Sequence, residues 1–96
     1  MSFRHFPHVV YLIHHLPTNS YGCASVGGTC GLACFARTAG AHRFARQMET
    51  RRNLIVEMRM ADVCEVAAQV HLSALILADD ENAPLIHRLH EEKSLP

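Results

Sequence analysis

The chain has 96 residues, of which 49% are apolar and 19% charged, and it contains only five Gly and four Pro. This length suits one folded domain spanning residues 1–96, and the composition excludes a collagen-like or disordered chain. The apolar run at residues 9–13 is too short to span a bilayer or to act as a secretory signal.

The formal charge is zero, but it is unevenly distributed. Residues 1–52 carry six Arg and one acid, a net charge of +5, whereas residues 53–96 carry three basic and eight acidic side chains, a net charge of −5. One interpretation is attraction between the two halves of the fold. The other is an anion-binding surface, because a guanidinium group can donate two parallel hydrogen bonds to the oxygens of one phosphate. The candidate ligand-binding residues are Arg37, Arg43, Arg46, Arg51 and Arg52.

Two strands are predicted in the first part of the chain. Residues 9–16 are rich in β-branched and aromatic side chains and are followed by a turn cluster at residues 17–20. Residues 29–37 mix small and apolar side chains, which favours a second strand. The preceding pair Gly27-Gly28 leaves open a phosphate-cradling loop, although the Lys of a P-loop is missing.

Helices are permitted between residues 41 and 83, where no Gly or Pro occurs. Residues 41–48 fit either one face of a helix or a short third strand. Residues 53–71 are predicted to form a helix, because Asn53 is a good N-cap and one apolar stripe has helical spacing. The members of that stripe are Val56, Met60, Val63, Ala67 and Val70.

The last predicted elements are a strand and a helix. Residues 73–78 read as a buried strand, and Pro84 suits the first turn of a helix with Leu85, Ile86 and Leu89 on its inner face. The predicted order is therefore strand, strand, possible third strand, helix, strand, helix, which is a small mixed α/β sheet. So few strands leave sheet edges uncovered, and we therefore expect a homo-oligomer.

The four cysteines and eight histidines offer weaker signals. Cys23, Cys30, Cys34 and Cys64 lack the usual zinc and disulfide spacings, and small buried thiols are the expected interpretation. Free thiols favour a reducing compartment, and we expect a cytoplasmic protein. A zinc site built from His and Cys is an open alternative.

Acidic side chains follow the strand at residues 73–78. Asp79 and Asp80 lie where ligands collect in open α/β sheets, and carboxylates there can hold Mg²⁺. The alternative is that one of them caps the next helix. Glu57, on the predicted helix, could approach the same strand end and share the ion. His14, at the end of the first strand, is a further candidate metal ligand.

The order of these features resembles the ribonuclease H-like pattern over residues 9–89. The resemblance is carried by the first strand, by a strand opening on Gly27-Gly28, by Phe44 in a third strand, by Asn53-x3-Glu57 opening a helix, and by an apolar strand ending in Asp79. It implies a three-strand meander, then a helix that bears Glu57 as a catalytic carboxylate, and then a strand that delivers Asp79 as the second. The family's first aspartate has no counterpart, since the matching strand reads Leu12-Ile13-His14-His15.

The sequence thus predicts a small α/β binding or interaction module that contacts a phosphate-bearing or nucleic-acid ligand through its Arg-rich segment. The alternative is a ribonuclease H-like, metal-dependent phosphoester hydrolase that uses Glu57 and Asp79 with Mg²⁺.

Overall fold

A computed structural model describes residues 6–48, 52–80 and 82–89. Along these residues the elements are β1 (Val9–His15), β2 (Ser20–Tyr21), β3 (Cys23–Val26), β4 (Thr29–Cys34), α1 (Thr38–Gln47), β5 (Asn53–Arg59), α2 (Met60–Gln69), β6 (Ala74–Leu77) and β7 (Leu85–Arg88). The mixed α/β class predicted from the sequence is confirmed. None of the helices in the described part of the chain is long and apolar enough to cross a membrane.

The strands form two sheets, in the orders β2-β1-β5 and β3-β4-β6-β7. Among the strands of the described residues, the pair β4–β6 is parallel and the other four pairs are antiparallel. The main chains of Tyr11 and Phe35 join the two sheets by exchanging hydrogen bonds of 2.8 and 3.0 Å. Gly22, between β2 and β3, donates to the Ile13 carbonyl and accepts from the Ala33 N–H. One extended segment therefore pairs first with β1 and then with β4.

The helices pack on opposite faces of the strands, which gives three layers. Val10 and Leu12 of β1 belong to a buried cluster that includes Val63 of α2. Ile13, which points to the other face, belongs to a second cluster that includes Ala41 of α1. Because β1 supplies both clusters, its residues form a continuous apolar run and do not alternate between apolar and polar side chains.

The Gly27-Gly28 pair forms the turn of the β3–β4 hairpin. The φ angles of the two glycines are +56° and +85°, and Val26 pairs with Thr29 across the turn. Two-residue turns of this hand match the twist of the flanking strands and need positive φ at both positions, which favours glycine. The alternative prediction of a phosphate-cradling loop here is wrong.

The predicted helix over residues 53–71 is only partly correct. Residues 60–69 form α2, but Asn53–Arg59 form β5, and each residue of β5 faces a residue of β1 in antiparallel register. The β-branched Ile55 and Val56 favour a strand, and pairing with β1 outweighs the helical spacing of a stripe that continues into α2. Glu57 therefore lies on a strand.

Two other elements differ from the sequence prediction. Residues 41–48 belong to helix α1 and its C-terminal cap, so that the possible third strand is wrong. Residues 85–88 form β7, where a helix was predicted. Leu85 and Ile86 lie opposite Leu77 and Ile76, so an edge strand on β6 buries the same apolar side chains. The strands predicted near residues 9–16, 29–37 and 73–78 are present as β1, β4 and β6.

Within the described residues, β2 and β5 end one sheet and β3 and β7 end the other, so β5 and β7 are among the strands with an outer edge. Leu54 on β5 is 50% exposed. An edge of this kind is a surface on which another strand can pair. Self-association stays a prediction.

The cysteines fall into two environments. Cys34 is buried and Cys64 is half-buried, but Cys23 and Cys30 are exposed on the β3–β4 hairpin. The expectation of four buried thiols is therefore wrong for the hairpin pair. Cys23 lies on β3, which the sequence did not predict, and Cys30 lies at the exposed start of β4, next to the hairpin turn.

We expect the Cys34 thiol to make the protein less stable in alkali. Burial raises the pKa of Cys34 from 9.0 to about 12, and the nearby Cys64 adds to the rise. Above pH 9 the unfolded thiol ionises while the folded thiol stays neutral. The contribution of the neutral, buried thiol to the free energy of unfolding is therefore fully present below pH 9 and is lost as the pH rises toward 12. Urea unfolding across this range measures the loss, and Cys34→Ala should flatten the dependence.

Candidate functional site

Asp79 caps helix α1 from a distant part of the chain. The residue follows β6, and its carboxylate oxygens accept hydrogen bonds from the main-chain N–H groups of Ala36 (2.7 Å) and Arg37 (3.1 Å). These amides lead into the first turn of α1, which has no side-chain cap of its own. A carboxylate here satisfies free donors and complements the helix dipole. The alternative that Asp79 or Asp80 caps the next helix is wrong, because β7 follows in place of a helix. Asp79 instead caps α1, which precedes it in the chain.

Gly40 in α1 makes room for this carboxylate. A Cβ atom at Gly40 would lie 2.7 Å from Asp79 Oδ2 and 3.3 Å from the Phe35 ring. The close approach of α1 to the end of β6 therefore depends on the absence of a side chain at this position. The carboxyl ends of β4 and β6, which are parallel neighbours, meet at this edge of the sheet.

The other predicted carboxylate, Glu57, lies elsewhere in the fold. It is exposed on β5, opposite Tyr11 of β1 and on the same face. Its side chain lines a groove between β5 and α1, together with Thr38 and His42, and Asp79 is not among the lining residues. Glu57 also borders an acidic groove beside α2 with Asp62 and Glu65.

The two remaining predicted metal ligands have local hydrogen-bond partners. His14 Nε2 is 2.7 Å from the Asn19 side-chain oxygen, and the His14 ring packs on Tyr21. Being three residues from Tyr11, His14 points to the face opposite Glu57. Asp80 accepts a hydrogen bond from the Asn82 N–H. Within residues 6–48, 52–80 and 82–89, no three His, Cys, Asp or Glu residues form a group that could hold a metal ion. The Mg²⁺ site stays a prediction.

The arginines give α1 a cationic outer surface. Arg37 is exposed at the N-cap, Arg43 and Arg46 are exposed on the helix, and residues 37–48 contain no acid. Arg52 is exposed just before β5, and Arg51 lies outside the described residues. The inner face of α1 is apolar and packs on the second buried cluster. The amphipathic pattern therefore leaves the guanidinium groups of Arg43 and Arg46 in solvent.

Arg43 is positioned beside a small cavity. Its Nη1 atom donates to the Asp79 carbonyl at 3.3 Å. The cavity has a volume of about 300 Å³ and lies between α1 and the sheet formed by β3, β4, β6 and β7. Arg43 and Asp80 supply charged groups at this cavity, and its apolar lining includes Val26, Phe44, Ile76 and Pro84. Here the structure brings together two residues that the sequence assigned to different sites.

His42 was missed by the sequence analysis. It faces Glu57 across the groove between α1 and β5, which has a volume of about 500 Å³ and is also lined by Tyr11 and Thr38. Thr38 and His42 are one helical turn apart, so they share a wall of this groove. That spacing could have identified His42 only after residues 41–48 had been assigned to a helix.

The sequence matches no model of a known protein family and no curated protein. The strongest feature is the α1 surface, defined here as the exposed side chains of Arg37, Arg43 and Arg46 together with the cavity beside Arg43. Arg52 adds a further exposed cation at the start of β5.

Proposed function

We propose that this protein is a binding module whose α1 surface holds a phosphate-bearing ligand, with single-stranded nucleic acid as the ligand class. The observation that carries the proposal is the placement of Arg43, held by the Asp79 carbonyl at the mouth of a partly apolar cavity. A guanidinium group held in this way can grip phosphate oxygens with little loss of side-chain freedom.

The surroundings of Arg43 fit a nucleotide. Arg46 is one helical turn away on the same exposed side of α1 and can bind a second phosphate. The cavity offers Val26, Phe44 and Pro84 as apolar surface for a base. A single strand presents a phosphate and an accessible base together, because its bases are unstacked.

The N-terminus of α1 does not itself supply the anion site. The Asp79 carboxylate already accepts hydrogen bonds from the N–H groups of Ala36 and Arg37. A phosphate placed there would meet a negative charge. The ligand is therefore bound by arginine side chains, and its affinity should fall steeply as salt is added.

We expect the double substitution Arg43→Gln with Arg46→Gln to weaken binding of a short fluorescent oligonucleotide by about tenfold or more, because two charged contacts are removed. Fluorescence anisotropy at low salt measures the affinity. For the unchanged protein, neutralisation of about four phosphates of a single strand predicts that log affinity falls with log salt concentration with a slope of about −3.

The matched control changes two arginines outside the α1 surface. Arg59 borders the acidic groove beside α2, and Arg88 donates to the Thr29 hydroxyl. Arg59→Gln with Arg88→Gln removes the same total charge and should leave the affinity within about twofold, if contacts and not net charge decide binding. An equal loss in both double variants would contradict the proposed surface.

A metal-dependent phosphoester hydrolase of the ribonuclease H-like kind is the alternative proposal. Its support is the position of Asp79 at the carboxyl end of β6, close to arginines that could hold a phosphate. Glu57 lies on β5, where the resemblance places a helix. Cleavage of an RNA–DNA hybrid in the presence of Mg²⁺ would separate this proposal from binding alone.

A further inference from the structure

Two exposed thiols, Cys23 and Cys30, lie on neighbouring strands of the β3–β4 hairpin, away from the α1 surface. Cys23 faces Leu32 and Ser25 faces Cys30 in the antiparallel register. Because directly opposite residues share a face and residues two apart on a strand do too, both thiols project from the same face of the sheet. They form a diagonal pair, offset by two residues.

The hairpin geometry brings this diagonal pair together. Val26 and Thr29 flank the two-residue turn, and the tight Gly27-Gly28 turn fixes the register of every pair above it. The right-handed twist of the hairpin shortens one of the two diagonals between neighbouring pairs. Partial shielding from solvent raises the pKa of Cys23, and the neighbouring Cys30 raises it further.

The spacing suits a bridging ion better than a disulfide. Diagonal residues have Cα atoms about 7–8 Å apart, with Cβ atoms somewhat closer. A disulfide needs Cβ atoms about 3.5–4.5 Å apart, so forming one would require the strands to shift. Two sulfur–metal bonds of about 2.3 Å each span the additional distance without moving the backbone.

We propose that Cys23 and Cys30 form a two-thiolate site for a single soft monovalent cation, with Cu(I) as the ion. Thiolate ligands select Cu(I) and Zn²⁺, but Zn²⁺ sites are almost always four-coordinate. In the described part of the chain, no third His, Cys, Asp or Glu joins this pair in a group that could hold a metal. Cu(I) can be coordinated by two ligands in a linear arrangement.

The binding step is a ligand exchange without redox change. Each thiol releases one proton to solvent as its sulfur forms a bond to Cu(I), the ligands that delivered the ion leave it, and the ion stays in the +1 state. The positive ion also offsets the repulsion between two adjacent thiolates. The site is independent of the proposed nucleic-acid surface, and either can fail without the other.

The test is an anaerobic titration of the full chain with Cu(I) against a chromophoric Cu(I) chelator. We expect one Cu(I) per chain to be withdrawn from the chelator. Binding should also protect two thiols from alkylation, identified as Cys23 and Cys30 by peptide mass analysis. Absence of competition with the chelator, or protection of other cysteines, would overturn the proposal.

Serine variants give the matched comparison. Cys23→Ser and Cys30→Ser change exposed positions and should each abolish Cu(I) retention, whereas Cys64→Ser should keep one Cu(I) per chain. Circular dichroism checks that each variant is folded. Retention of Cu(I) by either hairpin variant, or loss of Cu(I) from a folded Cys64→Ser variant, would place the ion at another site and contradict the proposal.

Discussion

Gly31→Ala should destabilise the protein by about 3 kcal/mol, at the upper end of the range for an overpacked core. Gly31 lies in β4, where a Cβ atom would approach the Ala74 carbonyl oxygen to 2.8 Å and the Ile76 side chain to 3.0 Å. The Ala74 oxygen belongs to the main chain of β6, so the contact is relieved only if the two strands separate. The midpoint of urea unfolding measures the effect.

Gly22→Ala is the matched control for this substitution. A Cβ atom there would meet its nearest neighbours at 3.5 to 3.9 Å, which is ordinary van der Waals contact. The φ angle of Gly22 is not in the left-handed region. We expect a change within about 1 kcal/mol, because alanine also restricts the unfolded chain. Equal stabilities of the two variants would contradict the close packing of β4 against β6.

Asp79→Ala should cost about 3 kcal/mol, because it leaves the amides of Ala36 and Arg37 without their charged acceptor. Asp79→Asn keeps one acceptor oxygen and should cost about 1 kcal/mol, the size of a neutral hydrogen bond. Chemical denaturation of the two variants gives both values. Oligonucleotide affinity should be preserved in Asp79→Asn, since Arg43 is held by the main-chain carbonyl of residue 79.

Asp80→Ala serves as the comparison for this cap. The Asp80 carboxylate accepts one exposed hydrogen bond from the Asn82 N–H, within a surface turn. Its removal should cost less than about 1 kcal/mol. If the two alanine variants were equally stable, the cap on α1 would not contribute as the geometry indicates. A loss of oligonucleotide binding in folded Asp79→Asn would instead implicate the carboxylate in ligand contact.

The parts of the fold that the sequence predicted are those in which local pattern and burial agree. β1 and β6 are short apolar runs bounded by turn residues, and both are buried in the middle of the strand order. Residues 60–69 form a helix because their apolar positions recur on one face. At β5 and β7, by contrast, the local pattern was ambiguous and pairing with a distant strand decided the outcome.

The candidate site was predictable in composition but not in arrangement. The exposed positions of Arg43 and Arg46 agree with the charge asymmetry read from the sequence. The hydrogen bonds from Ala36 and Arg37 to Asp79 connect residues more than forty positions apart, and no local spacing encodes them. Glu57 was assigned to the wrong element because the apolar stripe of α2 appeared to begin at Val56, four positions too early.

The long separation between β1 and β5 has a consequence for protein synthesis. β1 is complete at residue 15, but the partner that covers one of its sides ends at residue 59. While the ribosome makes the intervening chain, the apolar residues of β1 lack this partner strand and can pair with other chains, which promotes aggregation. We therefore expect the nascent chain to be most prone to aggregation before β5 has emerged.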